Sequence, residues 1–114
     1  MKILVIDDEK LIRWSVQRLL IREGHEVDIA EALDKAGAML ETGEYDLVLC
    51  DYIMPDGLGS KFLEKIREKG LSAKVIMMSG NIPSEAVADS KADAFIEKPF
   101  RLKELKAAIK GIFE

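Results

Sequence analysis

Cysteine is almost missing from this chain: one thiol, Cys50, stands among 114 residues. A single thiol forbids an internal disulfide and a cysteine-rich zinc site, and it suits a reducing compartment. Positive charge is also short. Seventeen Lys and Arg face twenty-one Asp and Glu, a net of −4. A domain that tracks a phosphate backbone carries a basic excess, so direct nucleic-acid binding is disfavoured. No apolar run nears the roughly 20 residues that span a bilayer, and Met1-Lys2 leads straight into a short β-like stretch with no export signal. The expectation is a cytoplasmic chain with no membrane partner. Neither a repeat nor a linker interrupts it, and its length corresponds to one domain over residues 1–114.

What is present is a regular alternation. Five apolar runs (Ile3–Ile6, Val27–Ala30, Leu47–Cys50, Val75–Met78 and Ala94–Ile96) alternate with five helical patterns. The helical spacing is carried by Leu11, Ile12, Val16, Leu19 and Leu20, then by Leu33, Ala36 and Leu40, by Phe62, Leu63 and Ile66, by the weaker stretch from Pro83 to Lys91, and by Leu102, Leu105, Ile109 and Ile112. Gly24, Gly43 and Gly70 each follow a helical pattern, where a left-handed residue is wanted. Alternating strands and helices demand a parallel sheet with helices on both faces. The first, third and fourth strands are continuously apolar, as strands covered on both sides are. Asp28 interrupts the second, and Asp93 and Glu97 flank the fifth, which makes those two the edges. The fold expected is α/β, a doubly wound five-stranded parallel sheet of order 2-1-3-4-5 with five helices. Its topological switch lies between the first and third strands, and ligands in such sheets bind beyond the carboxyl ends there.

That edge is where the polar residues fall. The first strand runs into Asp7-Asp8-Glu9, the third into Asp51, the fourth into Ser79-Gly80 and the fifth into Glu97-Lys98-Pro99. Asp8 alone would read as a helix cap. Three carboxylates about 5 Å apart, however, repel by roughly 3 kcal/mol per pair at an effective dielectric near 20. A proton or a cation must relieve that repulsion, and oxygen ligands without His or Cys select a hard cation such as Mg²⁺. Lys98, pinned by Pro99, can act as a point charge on a phosphate, Ser79 offers a hydroxyl, and a carboxylate can receive a phosphoryl group.

Asp7-Asp8, Asp51 within Asp51-Tyr52-Ile53-Met54-Pro55, Gly59, Ser79-Gly80 and Lys98-Pro99-Phe100 together resemble the response-regulator receiver domain of two-component signalling, over essentially the whole chain. The fold so implied is flavodoxin-like. The resemblance implies Asp51 as phospho-acceptor and Mg²⁺ held by Asp7, Asp8, Asp51 and the backbone carbonyl of Ile53. It also implies Ser79 as the hydroxyl that moves to the phosphoryl group, Phe95 as the aromatic switch, Lys98 as phosphate partner and a cis Lys98–Pro99 peptide. Its partners would be a sensor histidine kinase or phosphotransfer protein, and an attached output domain or a homodimer mate. Such a chain is not an enzyme beyond its own phosphorylation and dephosphorylation. The segment from Pro83 to Lys91 buries little beyond Ala86 and Val87, which suits a moving element, so that helix, the fifth strand and the fifth helix are expected to report phosphorylation.

Competing readings fare worse. A phosphohydrolase needs a second acid and a covering insertion, and a flavin or nucleotide site needs a phosphate loop where Asp7-Asp8-Glu9 would repel phosphate. Cys50, Met77 and Met78 read as core, His25 as surface, and Trp14, off the apolar stripe of its helix, as packing along the helix flank. Two positions depart from the family pattern: Ile53 is apolar where many relatives are polar, and Asp56-Gly57-Leu58-Gly59 lacks an acid before Gly59, a change expected to touch only the loop. Ile53 is expected to exclude water and lengthen the phosphorylated lifetime.

Overall fold

The computed structural model describes residues 1–80 and 91–114. Strands β1 (Lys2–Ile6), β2 (Glu26–Ala30), β3 (Leu47–Asp51), β6 (Lys74–Ser79) and β7 (Ala94–Glu97) form one parallel sheet of order β2-β1-β3-β6-β7. Between β3 and β6, the two-residue strands β4 (Ile53–Met54) and β5 (Gly57–Leu58) make a small antiparallel hairpin. Counting the five long strands alone, this is the expected 2-1-3-4-5. Helices α1 (Lys10–Arg22), α2 (Leu33–Thr42), α3 (Gly59–Glu68) and α4 (Leu102–Phe113) are described. The helical pattern expected from Pro83 to Lys91 lies outside the described residues except for Lys91. No helix among the described residues is long and apolar enough to cross a membrane.

The apolar runs are continuous because each strand faces a core on both sides. Leu4, Ile6, Val48, Cys50, Val75 and Met77 point to the layer that also holds Leu33, Ala36, Phe62 and Ile66 of α2 and α3. Their alternating neighbours Ile3, Val5, Leu47, Leu49, Ile76 and Met78 point to Val16, Leu20 and Leu105 of α1 and α4. Each such buried side chain contributes about 1.5–3 kcal/mol. Asp28 stays on edge strand β2 because Tyr45 donates its hydroxyl to it at 2.6 Å.

Three expectations need correction. Leu11 is 76% exposed, because the sheet takes only the Val16–Leu20 face of α1; Trp14, off that face as expected, is 51% exposed and has the Arg18 guanidinium over its ring at 4.7 Å along the helix flank. Gly24 and Gly70 do take positive φ, but Gly43 has φ −116° and ψ 158°, open to any residue. Room is what that position needs, since a Cβ there would sit 3.0 Å from the Tyr45 ring and 3.1 Å from the Met39 carbonyl. The third correction concerns Asp56. Helix α2 starts at Ala32 with no side-chain cap of its own, and Asp56 on the β4–β5 turn accepts the Leu33 and Asp34 N–H groups, each at 3.1 Å. Asp56 therefore acts beyond its loop, as the cap of a helix that begins 23 residues earlier.

The Leu33 N–H, more than the weaker burial effect, holds the Asp56 carboxyl below its ordinary range. A depressed carboxylate contributes stability above the unfolded pKa of about 3.9, and that contribution is lost as pH falls through the lower folded value. Asp56→Ala is expected to cost about 1 kcal/mol at pH 7, with the difference from wild type shrinking below about pH 4; urea unfolding at several pH values checks both.

Candidate functional site

Apolar residues carry each central strand through the core, and the first polar residue after it emerges at the carboxyl edge. Asp7 follows β1 and is fully buried, Asp51 ends β3 with 8% exposure, and Ser79 ends β6, also buried. Asp8 points outward. One carboxylate oxygen from each of Asp7, Asp8 and Asp51 lies within 4.8 Å of the others. Lys98, just past β7, donates from Nζ to Asp7 Oδ2 at 2.5 Å and to Asp51 Oδ2 at 3.0 Å. The Lys98–Pro99 peptide is cis, as the resemblance implied.

Backbone contacts hold these groups in place. Asp7 Oδ1 accepts the Glu9 N–H at 2.9 Å, so Asp7 ties down the start of α1, and the first turn of that helix has no other side-chain cap. The Lys98 N–H donates to the Ser79 carbonyl at 2.9 Å, joining the ends of β6 and β7. The Ile53 backbone N–H faces the Asp51 carboxylate and adds the smallest of the favourable effects on its ionised form. Gly59 approaches so closely that a Cβ would lie 2.5 Å from the Asp51 carbonyl oxygen, a backbone atom that cannot swing away. A glycine is required there to seat α3 behind Asp51.

Burial pushes the Asp51 carboxyl up, and the Lys98 hydrogen bond and charge oppose this without cancelling it. For Lys98, burial pulls down, but the hydrogen bonds and charges of Asp7 and Asp51 outweigh it, so the ammonium is held above its ordinary range. One ammonium among three carboxylates leaves two negative charges unbalanced, the complement of a divalent cation. The donors are all oxygen and one edge is open, which fits a hard metal that keeps water or phosphate ligands. The residues present therefore fit Mg²⁺.

A groove of about 730 Å³ opens over this cluster, with Asp8, Asp51 and Lys98 at its base and Leu11, Ile12, Ile53 and Phe100 on its walls. Ile53 is 59% exposed on that rim. Phe95 is half-buried against the α2–α3 core. Cys50 is buried, with desolvation raising its pKa, and His25 lies away from the cluster, its Nδ1 3.1 Å from the N-terminal amine. Two contributors were not singled out from the sequence. One is Asp56; the other is Arg13, whose Nη1 donates to the Asp7 carbonyl at 2.9 Å. A signal for Arg13 exists: it precedes Val16 and Leu20 by three and seven residues and shares their inward face.

The family model of the response regulator receiver domain matches residues 3–110. The chain is 37% identical over 113 residues to the transcriptional regulatory protein DltR of Streptococcus agalactiae, covering 96% of this chain and 50% of that protein. It is 33% identical over 115 residues to the transcriptional regulatory protein BasR of Escherichia coli, covering 98% and 52%. The chain thus spans about half the length of the curated relatives it matches. A solved structure, the response regulator protein TrrA of Thermotoga maritima in complex with Mg²⁺-BeF, superposes with a TM-score of 0.86 at 36% identity, covering 97% of each chain.

A carboxyl raised in the folded state costs stability when ionised, and that stability returns as pH falls through the raised value. Metal-free Asp51→Asn is therefore expected to melt above wild type at pH 7. The gap should close toward about pH 4. Lys98→Met, which leaves the acids uncompensated, should melt lower than wild type; thermal melts in a chelator measure all three.

Proposed function

The chain belongs to the response regulator receiver domain family, and we propose that Asp51 is the residue through which it is switched, accepting a phosphoryl group from a phosphohistidine in a Mg²⁺-dependent reaction. Receiver domains are signalling switches rather than conventional enzymes, and in this reading residues 1–114 catalyse only their own phosphorylation and dephosphorylation. The observation that carries the reading is Lys98 bridging Asp7 and Asp51 beside an outward Asp8, with two negative charges left over.

Asp7, Asp8, Asp51 and the Ile53 carbonyl would hold Mg²⁺, which when bound supplies charge neutralisation at the phosphoryl oxygens. Asp51 contributes the oxygen that forms the new P–O bond as the donor's P–N bond breaks and its imidazole takes a proton from solvent. The Ile53 N–H orients the Asp51 carboxylate for in-line approach. Lys98 turns one of its N–H donors from Asp51 to the transferred group. The acyl phosphate adds about −1.5 to −2 charges and three acceptor oxygens, which recruit the Ser79 hydroxyl; Phe95 then moves inward, shifting the balance between two conformations. The surface formed by β7 and α4 would report that change to an attached output domain or a second copy.

The donor is a sensor histidine kinase or a phosphotransfer protein, working in the cytoplasm. Leu11 and Ile53, both exposed on the rim of the groove that leads to Asp51, give such a partner an apolar footing.

Incubation with Mg²⁺ and a small-molecule phosphodonor should add one phosphoryl group by intact mass, with none added in Asp51→Asn or in chelator. No uptake by wild type with any donor would sink the reading. Ile53 shields the acyl phosphate from water, so Ile53→Asn is expected to shorten the phosphorylated lifetime several-fold; an unchanged decay rate removes that role.

A further inference from the structure

We propose that Arg13 is a positioning residue that presets the metal-binding turn at Asp7–Asp8. The inference rests on the reading of the acid cluster as a metal site. The Arg13 side chain reaches back across the turn, its Nη1 donating to the Asp7 carbonyl at 2.9 Å, while the ordinary helical bond from its backbone N–H to the Glu9 carbonyl, 3.0 Å, fixes the residue at the start of α1. The Asp7 N–H is held from the other side by the Ala30 carbonyl at 3.1 Å. With Oδ1 on the Glu9 N–H and Oδ2 on Lys98, every polar group of Asp7 is engaged. The turn is then fixed at each peptide except where Asp8 projects its carboxylate.

Arg13 does this at a cost. Its Nε is buried and has no hydrogen-bond partner, alone in that respect among side-chain atoms of the described residues. A merely structural filler of the Val16–Leu20 face would be apolar. The Arg13 contact with the Asp7 carbonyl, next to the peptide where the Asp7 N–H meets the Ala30 carbonyl, places the guanidinium head at the end of β1. Groups that orient a ligand from behind change metal affinity by about 10–100-fold.

Simple electrostatics makes the opposite forecast. A fixed positive charge repels a divalent cation, so its removal would tighten binding; loss of the turn would weaken it. Binding of Mn²⁺ alone, followed by the loss of the free-ion electron paramagnetic resonance signal, separates the two. Arg13→Met is expected to bind Mn²⁺ about 10-fold more weakly than wild type. Arg13→Lys, which keeps a donor for the Asp7 carbonyl, should fall between them, and Asp8→Asn should lose binding. Arg13→Gln, too short to reach that carbonyl, is a second neutral variant in case Arg13→Met does not fold, as melts in chelator would reveal. Neutral variants that bind as tightly as wild type or more tightly overturn the inference, as does an Arg13→Lys protein no better than the neutral ones. If wild type binds no Mn²⁺, the metal reading itself fails; if wild type binds and the neutral variants match it, only the role of Arg13 falls.

Discussion

Three carboxylates held within 4.8 Å of one another repel, and the carboxyl edge of this sheet tolerates them because Lys98 spans Asp7 and Asp51. The other features of the site follow from that contact. It gives the buried Asp7 an ion-pair partner on Oδ2 while Oδ1 holds the start of α1 through the Glu9 N–H. It draws the end of β7 onto the ends of β1 and β3, and the Lys98 N–H on the Ser79 carbonyl adds β6 to the same junction. It also leaves the cluster short of positive charge by two, so the site is assembled before any ligand arrives and remains attractive to a divalent cation.

The sheet makes such an arrangement affordable. Central strands covered on both faces bury alternate residues in two separate cores, and these cores supply the stability that the acid cluster withdraws. Their rigidity holds the Asp51 carboxylate in place, while the adjoining β4–β5 hairpin is secured from outside by Asp56 on the α2 amides and from beneath by buried Met54. The hairpin after Asp51 and helix α2 are therefore mechanically joined, and any displacement at Ile53 bears on the first turn of that helix.

The central strands were legible because a parallel strand between two helical layers must be apolar at every position, and three of the five runs are. Their edges were legible for the same reason in reverse, since Asp28, Asp93 and Glu97 belong where one flank is open. Asp7, Asp8, Asp51, Ser79 and Lys98 were legible because each ends or follows an apolar run at the one rim where such strands can place a ligand. Leu11 was misread because helical spacing locates a stripe but not the width of the face that a sheet will cover. Gly43 was misread because a glycine after a helix has two explanations, and only the Tyr45 ring and the Met39 carbonyl choose between them. Asp56 and Arg13 act on backbone groups, so helical spacing could place Arg13 on the inward face, but neither residue's backbone partner leaves a mark in the sequence.

What the amino-acid order determined alone is therefore the alternation of strand and helix, the order of the sheet and the residue types delivered to its carboxyl rim. These depend on periodicity and on which positions must avoid water, both local properties. What only the tertiary structure decided is which charges meet: that Lys98 lies between Asp7 and Asp51 across 91 and 47 residues of chain, that Asp56 caps a helix begun earlier, and that Arg13 closes on the Asp7 carbonyl. Hydrogen bonds and ion pairs are decided by distances of a few ångströms, and those distances exist only once both cores have closed on the sheet.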